Sequence, residues 1–142
     1  PTFAKNQQSI ERFTQNFITT EGVDMQSGMA TSVYTIPIIV HVVYNTSAQN
    51  ISDAQIQSQL TVLNQDYQKL NTDVSKVPDV WTTLVANCHI QFCLATIDPD
   101  GNPTTGVRRV HTDQTSFNDN DNVKFTSKGG DDAWPAASYL NL

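Results

Sequence analysis

The chain has 142 residues and a mass of 15.7 kDa, enough for one domain with a real core. Hydrophobic residues make up 38% and charged residues 15%, a balance that disfavours long disorder. Fourteen acidic residues against eight basic ones give a net charge of −6, and the basic residues are scattered, which argues against nucleic acid as a partner. No apolar run approaches the ~20 residues that a membrane helix needs, so no membrane contact is predicted.

The composition also indicates the compartment. Low charge with many neutral polar residues suits an exported protein, and the chain begins at Pro1, as a processed product would. We therefore expect a secreted, extracellular protein. Its two cysteines, Cys88 and Cys93, are too few for a disulfide framework. On a strand they would point to opposite faces, so they would not pair without a bend, and a partner outside this chain stays open.

The N-terminal region predicts one helix and a linker. Apolar residues recur at helical spacing over 6–20, and Gly22 stands where a helix stop would be. Residues 21–32 show no periodicity. We therefore expect an N-terminal helix-and-linker unit over 1–32 and a single domain over 33–142.

The strongest predicted strand is 33–44. Apolar residues occupy both of its alternating faces, so both faces should be covered. Pro37 cannot donate to a ladder, which predicts a local edge or a bulge there.

A second helix should follow over 52–70. Ser52 and Gln55 match the capping-box pattern, and Asn71 is a plausible stop. The apolar stripe predicts packing on the sheet through Ile56, Leu60, Leu63, Tyr67 and Leu70.

The remaining elements are shorter. Residues 74–86 allow one short helical turn, 90–96 and 106–112 read as strands, and 98–103 is a turn on composition. We expect the strand over 106–112 to be a hairpin partner of the one before it. A polar loop over 113–132 and the start of a strand at 139–142 complete the chain. This order predicts an α/β (α+β) fold, a mixed twisted sheet with a long backing helix.

The three histidines predict no metal site on their own. His41, His89 and His111 show no i, i+3 or i, i+4 pairing on a helix. His41 lies within the core strand and is expected to be a packed, hydrogen-bonded residue, whereas His89 and His111 should lie at the surface or rim.

Other patterns favour plain structural interpretations. The oxygen-rich run 118–122 lacks the Gly and Glu that a calcium-binding EF-hand loop requires, so a solvated loop is favoured over an irregular cation site. Cys93 alternates within an apolar strand, which favours packing over a Cys–His catalytic pair. Of the adjacent pair Arg108 and Arg109, one side chain should face solvent. No catalytic, cofactor-binding or metal-binding residue can be assigned.

Several stretches together resemble one family. In order and spacing they are similar to the first part of the catalytic domain of pappalysin-type metzincin zinc metallopeptidases. The stretches are 34–44, 51–60, 63–67, 90–95, 98–106, 123–125, 129–135 and 139–141. The likeness spans 33–142, and the helix around 10–18 resembles the segment that joins the propeptide to that domain.

The resemblance implies a metzincin-like N-terminal subdomain without its chemistry. The family's extended His-Glu-x-x-His-x-x-Gly-x-x-His motif binds Zn²⁺, and its Glu acts as the general base. That motif and the later Met-turn follow the strand at 139–141 and do not occur here, and the family's Ca²⁺ ligands are also mostly downstream. The implied parent is a secreted zinc metalloendopeptidase cut off before its active site.

Two functional readings follow from this. In the first, the chain's partners are the missing C-terminal part, the parent's peptide or protein substrates and, through an exposed strand edge, other copies of itself. In the second, the chain is a standalone non-catalytic binding or inhibitory module with a metzincin-like fold. The chain ends at Leu142 within a strand, which favours the first reading.

Overall fold

A computed structural model describes residues 2–21 and 32–142, and the chain divides into two units, Pro1–Thr31 and Ser32–Leu142. The described residues of the first unit form a helix, α1, over Thr2–Glu21. The predicted helix over 6–20 is therefore confirmed, with a few more residues at its N-terminal end. The predicted linker falls mostly on positions 22–31, outside the described residues.

The second unit combines one long helix with a parallel sheet. Its strands are β1 (Tyr34–Tyr44), β2 (Ile90–Leu94), β3 (Val107–His111) and β4 (Leu140–Asn141), and its helix is α2 (Asp53–Tyr67). Short 3₁₀ turns occur between them, at Ser47–Gln49, Thr72–Lys76, Asp79–Trp81, Asn122–Lys124 and Thr126–Lys128. The predicted α/β fold class is confirmed, but the described strands pair only in parallel, so the sheet is not the mixed one that was predicted.

Strand β1 is hydrogen-bonded to all three other strands, each in parallel. Its residue Ile38 pairs with Leu94 of β2 and also with Leu140 of β4, so β2 and β4 lie on opposite edges. β2 accompanies the first half of β1 and β3 the second half. The backbone groups of even-numbered β1 residues form the hydrogen bonds to β2 and also those to β3. Because alternate residues of a strand direct these groups to the same edge, β2 and β3 lie end to end along one edge of β1.

The prediction that β3 is the hairpin partner of β2 is therefore wrong. The turn at 98–103 exists, but its antiparallel pairing is limited to a bridge between Ile97 and Pro103. The chain leaves the sheet after β2, turns, and rejoins the same edge in its original direction. β3 then pairs with the free half of β1, which is long enough to accept both strands.

Gly106 makes this return possible. Its φ of +71° is a conformation that side chains rarely adopt, and a Cβ there would lie 2.7 Å from the backbone nitrogen of Ala95. The absence of a side chain lets the start of β3 lie directly against the end of β2.

The edge predicted from Pro37 is confirmed. The backbone nitrogen of Pro37 faces the edge opposite β2, and the pairing of β4 with that edge begins only at Ile38. The missing donor thus falls beside no strand of the described part of the chain, where its cost is small.

The core lies between α2 and one face of the sheet. Ile38 of β1, Leu60 of α2 and Phe92 of β2 form its centre, with Leu63 packed against them. Ile56 is also buried, and the ring of Tyr67 meets Phe92 edge-on at 4.9 Å. The predicted packing through the helix stripe is confirmed for these residues.

Both faces of β1 are covered, as predicted, since Ile38 and Ile39 are fully buried although they point in opposite directions. The outer edge of β2 is also protected. The side chain of Asn64 accepts from the N–H of Phe92 (2.7 Å) and donates to its carbonyl (2.9 Å). These bonds satisfy backbone groups that an edge strand would leave open.

Helix α2 begins as predicted and ends earlier. Ser52 is its N-cap and forms the capping box with Gln55. Lys69 adopts the left-handed conformation (φ 58°), and the N–H groups of Lys69 and Leu70 bond back to carbonyls of the last turn, a Schellman ending. The stop predicted at Asn71 is therefore wrong, and Leu70 is largely exposed rather than part of the packed stripe.

No helix among the described residues is long and apolar enough to cross a membrane.

Truncation at the centre of the core tests the placement of α2. Leu60→Ala should lower the free energy of unfolding by about 2–5 kcal/mol, because it leaves a cavity beside Ile38 and Phe92. The neighbouring exposed change Gln59→Ala should stay within about 0.5 kcal/mol. Chemical denaturation measures both, and equal shifts would contradict the placement.

Substitution of two glycines with positive φ measures the cost of backbone strain separately from the cost of steric crowding. Gly101→Ala meets open space and should cost about 1 kcal/mol from backbone strain alone. Gly106→Ala adds a clash with Ala95 and should cost about 3 kcal/mol. If thermal melts show similar losses for the two variants, β2 and β3 do not meet as described.

Candidate functional site

The most connected polar group of the second unit is centred on His41. This residue lies on the face of β1 opposite α2, and only 11% of its side chain is exposed. Its Nδ1 lies 2.6 Å from Oδ2 of Asp131, and its Nε2 lies 3.0 Å from Oδ1 of Asn141. The prediction of a packed, hydrogen-bonded histidine is confirmed.

Asp131 is the anion of this cluster, with 3% of its side chain exposed. Arg108 of β3 donates to both of its oxygens at 2.8 Å, from Nε to Oδ2 and from Nη2 to Oδ1. Arg108 and His41 are register partners in the β1–β3 ladder, so their side chains emerge side by side. One buried carboxylate is thus shared by two basic side chains.

The chain reaches this position through a tight turn. Gly129 has a φ of +85°, and at Gly130 a Cβ would lie 2.0 Å from the carbonyl oxygen of Val123. The N–H of Asp131 donates to that same carbonyl at 3.0 Å. Backbone packing that only glycine permits therefore places Asp131 on the face of the sheet opposite α2.

Asn141 of β4 joins the cluster to the segment that leads into it. Its Oδ1 accepts from the N–H of Trp134 (2.7 Å), and its Nδ2 donates to the carbonyl of Trp134 (3.0 Å). The Trp134 ring meets Tyr139 edge-on at 4.9 Å. Four segments are therefore joined at one point: β1, β3, β4 and the loop around Asp131.

The hydrogen bonds decide the charge of the carboxylate. Burial raises the pKa of Asp131, but the hydrogen bonds from Arg108 and His41 outweigh it and hold that pKa below its usual value. The hydrogen bond between Arg108 and Asp131 raises the pKa of Arg108, although burial acts in the opposite direction. Asp131 is therefore ionised and Arg108 charged throughout the physiological range.

Arg109 points to the other face and anchors the start of α2. It donates to Oδ1 of Asn50, to the carbonyl of Ile51 (2.6 Å) and to Oδ1 of Asp53 (2.6 Å). The expectation that one arginine of the pair faces solvent is therefore only partly met. Arg108 is 47% exposed and Arg109 29%, yet each side chain is ion-paired.

The other candidate residues do not join this cluster. His111 is exposed and lies edge-on to Tyr44, and His89 is half-buried with a φ of 53°. Cys88 and Cys93 are free thiols, the first exposed and the second half-buried. In the 118–122 loop, Asp121 pairs with the exposed Lys124 at 2.8 Å.

Asp98, in the turn at 98–103, is also hydrogen-bonded within its own loop. Its carboxylate accepts from the backbone N–H groups of Asp100 and Asn102. The hydrogen bond from Asn102 is the main cause of a pKa below the ordinary value. Within residues 2–21 and 32–142, no three His, Cys, Asp or Glu side chains lie close enough to hold a metal ion.

The chemistry of the cluster follows from its bonding. Both ring nitrogens of His41 and both oxygens of Asp131 already have partners inside the protein. A general base must reach a substrate proton, and both groups are largely buried and already hydrogen-bonded within the protein. The cluster is suited to holding strands and loop together rather than to catalysis.

Sequence reasoning located His41 but missed its partners. Asp131, Arg108 and Asn141 are 90, 67 and 100 positions away from it in the chain. One usable signal was the glycine pair before Asp131, which indicates a backbone constraint. Another was a charged residue, Arg108, at a position of β3 that faces the same side as His41.

Comparisons with solved structures show what this chain is similar to. Mirolysin in complex with compound 9 and mature mirolysin of Tannerella forsythia with a cleaved peptide each give 49% identity and a TM-score of 0.74. Each match covers 78% of this chain and 42% of the other. Promirolysin mutant E225A of the same organism gives 43% identity and a TM-score of 0.75, and the match covers 95% of this chain and 44% of that one.

Neither the models of protein families nor the curated proteins gave a match. The fold is therefore that of the metzincin-like mirolysin structures, an α/β arrangement with a parallel sheet. The predicted resemblance is supported at the level of a metzincin-like N-terminal part. The chain spans less than half the length of the mirolysin chains that it matches.

Removing the buried carboxylate tests the importance of the cluster. Asp131→Asn should cost about 3 kcal/mol, because it leaves Arg108 and His41 without their anion. Asp121→Asn, which breaks the exposed pair with Lys124, should cost less than about 1 kcal/mol. Urea denaturation near neutral pH measures both, and a small loss for Asp131→Asn would show that the cluster is dispensable.

The same carboxylate predicts an acid dependence. Its folded-state pKa lies below its unfolded value, so its contribution is complete above the unfolded pKa and is lost as the pH falls through the folded one. The unfolding free energy of the wild type should therefore drop below about pH 4, and that of Asp131→Asn should drop less. Parallel acid dependences in the two proteins would contradict this.

Proposed function

We propose that the chain is the N-terminal portion of a secreted zinc metalloendopeptidase of the pappalysin type. The observation that carries this is the 49% identity with mirolysin over 78% of the chain, together with a TM-score of 0.74. The stretches that resemble the pappalysin family, from 34–44 to 139–141, support the finer assignment. Secretion is supported by the low charge of the chain.

The two units take different roles in this proposal. The matches to mirolysin and to mature mirolysin cover 78% of the chain, which is the share of it that Ser32–Leu142 makes up. The match to promirolysin covers 95%, which requires most of the first unit as well. We therefore assign residues 1–32 to the end of a propeptide and residues 33–142 to the first part of a catalytic domain.

The residues described, 2–21 and 32–142, do not fit a catalytic zinc site. Such a site needs three protein ligands, and His41, the most buried histidine, has both ring nitrogens bonded to Asp131 and Asn141. The mirolysin chains are more than twice as long as the part of them that this chain matches. In this proposal the zinc ligands and the general base lie in the corresponding additional part of the parent. The same part would hold any Ca²⁺.

The contribution of the present chain is a rigid support. β1 is held on one face by α2 and on the other by the His41 cluster. In this proposal the sheet around β1 is the surface on which the second part of the parent packs. Mature mirolysin has been solved with a cleaved peptide, which supports peptides or proteins as substrates of the parent. The C-terminal part of the parent is the chain's first partner.

A comparison of two proteins tests this proposal. The product of the complete reading frame that contains residues 1–142 should hold one zinc ion per chain after dialysis and cleave an unfolded protein such as casein. The isolated chain, as the matched control, should do neither, because the part of it that the structure describes holds no set of three zinc ligands. Elemental analysis and gel-based cleavage are the readouts.

Each outcome is informative. A longer product without zinc or cleavage, or a frame that stops soon after Leu142, would overturn the proposal in favour of a standalone binding or inhibitory module. Zinc-dependent cleavage by the isolated chain would contradict the assignment of the active site to the second part.

A further inference from the structure

The outer edge of the sheet is protected along β2 but not along β3. At β2, the backbone N–H and carbonyl of Phe92 point away from β1, and the side chain of Asn64 bonds to both. No residue takes that role beside β3 in the described part of the chain. One half of this edge is therefore satisfied within the protein, and the other half is open.

The hydrogen bonds to β1 show which groups of β3 form the open half. The carbonyl of Gly106 accepts from the N–H of Val40 at 2.9 Å, and the N–H of Thr112 donates to the carbonyl of Tyr44 at 2.9 Å. Because the backbone groups of alternate residues point to the same side of a strand, the even-numbered residues of β3 face β1. The N–H and carbonyl groups that face outward belong to Val107, Arg109 and His111.

A hollow lies beside this open edge, on the face of the sheet that carries α2. Its volume is about 600 Å³, within the usual range of ligand pockets. Ile56 of α2, Leu94 of β2 and Val107 of β3 form the apolar part of its lining. Because neighbouring strands carry their side chains on the same two faces, a strand paired with β3 would direct every second side chain toward this hollow.

The open edge is also basic, although the chain is acidic. Arg108 and Arg109 are adjacent on β3, whereas the whole chain has eight basic residues and a net charge of −6. Arg109 lines the hollow and pairs with Asp53, whose side chain is 86% exposed, so this surface pair is weak and leaves Arg109 able to attract another carboxylate. Arg108 lies on the other face and is about half exposed. A strand at this edge would therefore meet positive charge on both faces.

We propose that the outer edge of β3 binds an extended peptide segment with alternating apolar and acidic residues, which joins the sheet as a further strand. This goes beyond the proposed peptidase function and does not depend on it. The outward backbone groups of β3 supply the hydrogen bonds, and the hollow beside α2 accepts an apolar side chain. The two arginines attract the acidic side chains.

A second copy of this chain fits the edge less well. Two-fold pairing of two such edges is antiparallel, and pairing centred on β3 places Arg109 of one copy directly opposite Arg109 of the other. Like charges directly opposite one another destabilise a strand pair. A parallel arrangement of two copies lacks the two-fold symmetry that closes a dimer.

Amide signals of β3 in the intact chain test the site directly. The probe is a blocked peptide of about six residues, the usual length of a strand, in which valine and aspartate alternate. At millimolar concentration it should slow the hydrogen exchange of the Val107, Arg109 and His111 amides at least several-fold. The amides of Arg108 and Val110, which face β1, should keep their exchange rates. Equal changes at all five positions, or no change at any, would overturn the proposal.

Two control peptides separate the contributions of charge and of hydrogen bonding. The same peptide with lysine in place of aspartate should bind at least several-fold more weakly, and added salt should weaken the aspartate peptide. The aspartate peptide methylated on its backbone nitrogens cannot donate hydrogen bonds and should not protect the amides of β3. Equal effects of all three peptides would contradict the proposed mode of binding.

A variant blocks the edge from the side of the protein. His111→Pro removes an outward N–H and places the proline ring where the added strand would lie, but it keeps the bonds to β1, which come from even-numbered residues. It should weaken binding of the aspartate peptide at least several-fold. His111→Ala keeps the N–H and, as the matched control, should bind like the wild type.

The remaining outcomes also decide the proposal. Unchanged binding by folded His111→Pro would overturn it, and if that variant does not fold, the methylated peptide decides. A free chain that sediments as a dimer, with the amides of Val107, Arg109 and His111 already protected, would assign the edge to a second copy and so overturn the proposal as well.

Discussion

The structure of the second unit depends on the hydrogen bonding of a single strand. β1 has eleven residues, and every other strand of the sheet pairs with it rather than with one another. β2 and β3 share one edge and β4 takes the other. Because each short strand has only one neighbour, none of them would be stable without β1.

The two faces of β1 are stabilised in different ways. Toward α2 the packing is apolar, centred on Ile38, Leu60 and Phe92, and does not change with pH. On the other face the contacts are ionic and hydrogen-bonded, between His41, Asp131 and the strands beside them. The second face is sensitive to acid, because the folded-state pKa of the Asp131 carboxyl lies below its ordinary value, whereas the apolar packing on α2 has no such dependence.

The sequence predicted local elements better than their pairing. The capping box at Ser52, the alternation in β1 and the stripe through Leu60 are short-range patterns, and all were confirmed. The parallel course of β3 was not predicted, because the turn at 98–103 has the composition of a hairpin and the deciding contact, Gly106 against Ala95, is tertiary. The partners of His41 were missed for the same reason, since spacing of 67 residues or more carries no local pattern.

Amide hydrogen exchange along β1 tests this architecture most directly. Val40 and Val42 should be strongly protected because their N–H groups bond to the β3 side, and His41 should be protected through its 2.7 Å bond to the carbonyl of Leu142. Val43, whose N–H points to the β4 edge beyond Leu142, should exchange markedly faster than Val42. Equal protection of Val42 and Val43, or rapid exchange at Val40, would contradict the arrangement in which β2 and β3 share one edge.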